Sequence, residues 1–196
     1  DLFLMISSDK FKPGFHKINT TDFEHLHASN NYHGLLQIIR KRAGGKACVI
    51  SFNDDSLFEK SLPEREEPQR MRDYIEGDIK IIKPHGSHNW CSIARRNGFE
   101  SPTSYDLFLK NPAWFLECWE KREKIYHRNE LKEDIESDFY IFPTLALPLT
   151  GKDDLICPSD HRKVLQEQIT LTDRILIIGW KAGDPTLLTM LKDGLS

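Results

Sequence analysis

The chain contains no Cys-x-x-Cys pair. Cys48, Cys91, Cys118 and Cys157 are separated by 43, 27 and 39 positions, a spacing that excludes a zinc ribbon. Disulfide staples are not required either, because 196 residues are enough to bury a core. Cys48 within an apolar run and Cys118 beside Trp119 fit buried free thiols in a reducing cytoplasm. No apolar stretch approaches the ~20 residues of a membrane span, and no signal-peptide pattern is read at the start. Basic residues are not in excess: 27 Lys and Arg against 30 Asp and Glu give a formal charge of −3. Direct nucleic-acid binding and attachment to an anionic membrane are therefore not expected. Internal repeats and low-complexity segments are also lacking, and residues 1–45 hold no G-x-G pattern of a phosphate-binding loop.

What is present is apolar material in short, well-separated runs. Hydrophobic residues make up 39% of the chain, with 11 Phe and 4 Trp, which suits one α/β domain over residues 1–196. Tyr32, Leu35, Leu36, Ile38 and Ile39 share one helical face, ended by Gly44–Gly45. The run KACVISFN reads as a buried strand, and DSLFEKSL as a short helix that Asp55 caps and Pro63 stops. DIKIIKPHG repeats the strand-then-turn pattern. Residues 92–138 break it and are expected to form a helical insertion anchored by Trp114, Phe115, Cys118 and Trp119. YIFPTLALPL is a strand demoted toward an edge by Pro143 and Pro148. A helix capped at Ser159 or Asp160 follows, then RILIIGW as the clearest buried strand, then a helix opened by Asp184 and Pro185. Apolar strands alternating with helices predict a Rossmann-like parallel sheet with helices on both faces.

In such sheets ligands bind beyond the carboxyl ends of the strands. Three strands end there in Ser51-Phe52-Asn53-Asp54-Asp55, in Pro84-His85-Gly86-Ser87 and in Gly179-Trp180-Lys181. Right-handed crossovers place all three ends on one edge of the sheet. Each has an ordinary reading as well. Asn-Asp-Asp after a strand serves as a cap and turn, His85 can bond backbone in its turn, and Gly179 can simply end a strand. The His85, His88 and Cys91 spacing has no evident fourth ligand, so no metal site is assigned.

Taken together, the three segments resemble the sirtuin-like domains, in particular the zinc-free branch found in bacterial NAD-cleaving proteins. ISFNDDSLFEKSL is similar to that branch's T-F-N-Y-D-x-x-x-E element, with Asp54 in place of Tyr. IKIIKPHGSHNW is similar to its K-L-H-G-S-x-N-W element, with Pro84 in place of Leu, and is the most specific of the three. ILIIGWKAGDPTLLTML is similar to its I-I-G-Y-S-x-x-D element, with Trp180 for Tyr and Lys181 for Ser. The likeness covers residues 46–60, 78–91 and about 140–195.

The resemblance implies NAD as substrate. Asn53 would touch the nicotinamide ribose and position water, and His85 would be the general base. Ser51, Asp55, Gly86, Ser87, Gly179, Trp180 and Lys181 would line the cofactor site. Of these, Asp55 would hold the loop or the ribose, and Gly179 would admit the ADP part. Lys181 would either pair with a phosphate or block the pocket. The implied activity is hydrolysis of NAD to nicotinamide and ADP-ribose, as a bacterial defence effector acting as a homo-oligomer or within a larger multidomain chain. Protein deacylation loses ground without the four-cysteine zinc ribbon of deacylases in this superfamily. The family's glycine-rich loop precedes the Asn53 element and is not found here. The chain opens at Asp1 without methionine, so a fragment starting after that strand-loop is expected. A degenerate domain that binds NAD or ADP-ribose, or serves assembly, is the competing reading.

Overall fold

The computed structural model describes residues 2–6, 31–62, 67–95, 124–132, 135, 139–145, 155–180 and 183–195. Mixed strands and helices make it an α/β structure with two sheets. One sheet contains β1 (Leu2–Ile6), β2 (Ala47–Ser51), β3 (Ile79–Ile82) and β7 (Arg174–Ile178), in the order β3-β2-β1-β7. The other contains β4 (Gly86–Arg95), β5 (Ile125–His127) and β6 (Phe139–Leu145), in the order β5-β4-β6. The helices are α1 (Asn31–Ala43), α2 (Ser159–Thr170) and α3 (Pro185–Gly194).

The first sheet is mixed, which corrects the expectation of an all-parallel one. β2 and β3 are parallel, but β1 lies between β2 and β7 and runs against both. Since β1 opposes each neighbour, β2, β3 and β7 still point the same way, and their carboxyl ends share one edge. β2 is buried at all five positions, so both faces of the sheet are covered there. The apolar stripe of α1 closes on this region through Leu36 and Ile39, with Tyr32 and Leu35 partly buried. α2 buries His161, Leu165 and Ile169 at four-residue spacing, and α3 buries Leu187 and Leu191.

β7 forms where RILII predicts a strand, yet it is exposed at all five positions. Among the described residues its sheet neighbour is β1, and no described helix covers its faces as α1 and the core cover β2. The short helix expected over DSLFEKSL is a turn followed by one 3-10 turn, Glu59–Ser61. α2 begins at Ser159, with Pro158 rather than Ser159 or Asp160 in the cap position. The helical insertion expected over 92–138 lies largely outside the described residues, as do Trp114, Phe115, Cys118 and Trp119. Of its described residues, 92–95 belong to β4, Ile125–His127 is β5, antiparallel to β4, and Arg128–Glu130 is a 3-10 turn. β4 pairs with β6 on its other side, with an irregularity between Ser87 and Cys91.

A buried aromatic group packs β4 against α2 and the 3-10 turn at Met71–Tyr74. Trp90 of β4 stands edge-on to Tyr74 and to His161 of α2, at 5.2 and 5.4 Å between ring centres. His161 Nε2 donates to the Met71 carbonyl at 2.9 Å, and burial lowers the His161 pKa to about 4. An unfolded histidine titrates near ~6.5, so between these values the unfolded chain binds more protons and stability falls as the pH falls. His127, whose pKa burial also lowers, acts in the same direction. Lowering the pH from about 7.5 to about 5 is expected to remove roughly 2 kcal/mol through His161 alone. Urea unfolding at the two pH values measures this, and His161→Gln should flatten most of the slope.

Candidate functional site

The three strand-end segments meet beyond the carboxyl ends of β2, β3 and β7. Phe52, directly after β2, is the link between them. It stacks on Trp180 with ring centres 5.6 Å apart and planes within 7°. It also stands edge-on to His85 at 5.0 Å. His85 lies in the turn between β3 and β4, with Nε2 3.4 Å from Oδ2 of Asp184. Asp184 caps α3, accepting the Leu187 N–H at 2.9 Å. Asn53 is half-buried beside Phe52 and donates from Nδ2 to the Tyr32 hydroxyl of α1 at 3.2 Å. Gly179 is exposed, with φ +74°. Lys181 lies outside the described residues.

Several of the expected cofactor-binding residues have structural tasks. Asp55 Oδ1 accepts the Leu57 N–H at 2.9 Å, which is the cap-and-turn reading of that side chain. Ser51 is buried at the end of β2. Ser87 is wholly buried and donates to the Asp54 carbonyl at 3.1 Å. That carbonyl also accepts the His88 N–H at 3.0 Å and His88 Nδ1 at 2.9 Å. These bonds staple the Asn53–Asp55 loop to the start of β4. Gly86 has φ +82°, and a Cβ there would sit 1.9 Å from the Thr144 carbonyl oxygen of β6. Its glycine is demanded by the neighbouring strand, whatever binds nearby.

Beneath the loop is an ion pair that sequence reasoning missed. Lys83 Nζ lies 2.8 Å from Glu59 Oε1, both side chains wholly buried, and it also donates to the Asp55 carbonyl. Glu59 Oε2 has no hydrogen-bond partner. Burial pushes the Glu59 carboxyl above its usual range despite the adjacent ammonium. Lys83 sits two residues before His85, so the pair fixes the base of one segment against the backbone of another. The available signal was a lysine directly after an apolar strand and before Pro84, which if buried requires a partner.

Asp184 was legible as a helix cap and as the acid that closes the third segment of the resemblance, but nothing local announces its contact with His85, far earlier in the chain. Burial works to raise its pKa, but His85 and the Leu187 N–H outweigh this and hold the carboxyl below its ordinary value. It is therefore a carboxylate at neutral pH. Burial pushes the thiols of Cys48, Cys91 and Cys157 up to about 12, 11 and 11, so none of these three is a thiolate nucleophile.

Among the described residues, no group of three or more His, Cys, Asp and Glu side chains could hold a metal ion. No described helix is long and apolar enough to cross a membrane. A cleft of about 580 Å³ between Met71, Ile125 and the start of α2 is lined by none of Asn53, His85, Trp180 and Asp184. At the strand ends, the arrangement offers a half-exposed imidazole against a carboxylate, a carboxamide, and a flat aromatic pair. This set suits proton transfer and alignment of a polar substrate. No family model, curated protein or solved structure matches the chain.

Proposed function

We propose that this chain is a sirtuin-like NAD hydrolase that cleaves NAD to nicotinamide and ADP-ribose. In this reading β2, β3 and β7 are the Rossmann-like part of the sheet, and NAD lies across their carboxyl ends. The observation that carries it is the junction at Phe52, which brings the Asn53, His85 and Trp180 segments to one place. Nicotinamide departs as a neutral molecule, so its loss requires no strong acid. The demands are alignment of the anomeric carbon, stabilisation of an oxocarbenium-like state, and a water on the opposite face. A carboxamide such as Asn53 orients ribose and water without adding charge. A histidine accepts a proton near neutral pH. The same resemblance supports a role as a bacterial defence effector within a larger or homo-oligomeric assembly.

The test is release of nicotinamide from NAD, followed by chromatography. The full-length wild-type protein should turn over, and His85→Ala in it should lower the rate at least ~10²-fold, the lower range for a lost general base. Its fold should be retained, because His85 is partly exposed. A folded full-length wild-type protein that releases no nicotinamide overturns hydrolysis. If it nevertheless binds NAD or ADP-ribose, the binding-module reading takes its place.

A further inference from the structure

The His85 imidazole is constrained from two directions. Phe52 lies edge-on to the ring, and Asp184 Oδ2 faces Nε2 at 3.4 Å. The carboxylate is itself fixed. Its Oδ1 accepts the Leu187 N–H at the start of α3, and its side chain is 9% exposed against 43% for His85. An ionised carboxylate accepts hydrogen bonds and donates none, so the ring nitrogen facing it carries the hydrogen of the neutral imidazole. The lone pair is then on Nδ1.

We propose that Asp184 is a positioning residue for His85, holding the imidazole proton on Nε2 so that Nδ1 is the basic nitrogen. The role assigned to that base rests on the hydrolysis reading; the tautomer does not. During hydrolysis the C–N bond to nicotinamide breaks, and its electron pair leaves with nicotinamide. Water oxygen bonds to the anomeric carbon, and the proton it sheds passes to His85 Nδ1. The resulting imidazolium keeps its Nε2–H toward Asp184, whose charge stabilises it, and then returns the extra proton to solvent.

Asp184→Asn separates this role from helix capping. Asn caps helices as well as Asp does, and the Leu187 N–H still requires an acceptor. The amide oxygen therefore takes the cap, and the amide NH₂ faces His85. Nε2 must then accept, the proton moves to Nδ1, and the base is blocked. Nitrogen-15 spectra of histidine-labelled protein at about pH 8 read the tautomer directly, with the His85 signal assigned by its loss in His85→Gln. The wild type should show Nε2–H, and Asp184→Asn should show Nδ1–H. With NAD, kcat of Asp184→Asn should fall roughly 10²-fold with KM and melting temperature little changed. Asp184→Ser keeps a capping hydroxyl without facing His85, and should give mixed tautomers and a smaller loss. A wild-type His85 protonated on Nδ1 overturns the proposal. So does an Asp184→Asn variant with wild-type tautomer and kcat. If the tautomer switches as expected but the wild type releases no nicotinamide, the hydrolysis reading falls and the positioning of His85 by Asp184 stands.

Discussion

Lys83→Met should destabilise the protein by roughly 3–5 kcal/mol, the range for breaking a buried ion pair from one side. The substitution retains most of the volume of the side chain, so cavity formation is not the main cost. What it leaves is Glu59, wholly buried and without its cation at 2.8 Å. Glu59 Oε2 already lacks a hydrogen-bond partner, and Oε1 would lose the Lys83 ammonium. The carboxyl must then take up a proton or draw in water, and either costs free energy. The double variant Lys83→Met/Glu59→Leu removes both charges and should recover most of the loss. It should not restore the loop, because the Asp55 carbonyl still loses its lysine donor. Denaturant midpoints of the two variants measure the coupling. A double variant as unstable as the single one would show that the stranded carboxylate is not the cause.

Asn53→Ala should reduce kcat for nicotinamide release by roughly 10²–10³-fold, the range for removing one preorganised polar group from a transition state. KM should change far less, because alignment of ribose and water is realised mainly as the bond to nicotinamide breaks. Stability should fall by about 1 kcal/mol, the usual net worth of the bond from Asn53 to the Tyr32 hydroxyl. Tyr32→Phe removes that hydrogen bond while leaving the carboxamide in place, so it should reproduce the stability loss with a smaller effect on kcat. A folded Asn53→Ala variant that releases nicotinamide at the wild-type rate would remove Asn53 from the mechanism.

The sequence by itself determined the elements whose signals are local. The 3.6-residue spacing of Tyr32, Leu35, Leu36 and Ile39 defines α1, and the Asp184–Pro185 cap opens α3. The apolar runs at 47–51, 79–82 and 174–178 become β2, β3 and β7, and their polar ends supply Asn53, His85 and Gly179. Tertiary structure decided what local pattern cannot encode. Strand direction depends on which neighbour a strand meets, so the antiparallel β1 turns an expected parallel sheet into a mixed one. β4 was hidden because GSHNWCSIAR alternates poorly. Its strand character comes from pairing with β5 and β6, far away in the chain. The same holds within the site. Gly86 and Ser87 stand in a motif that suggests a ligand, but Thr144 and Asp54 give both of them structural work. Glu59 with Lys83, and His85 with Asp184, are pairs of ordinary residues until folding brings them within 4 Å. Charge and hydrogen-bond complementarity act over ångströms in space, and a linear pattern records only distance along the chain.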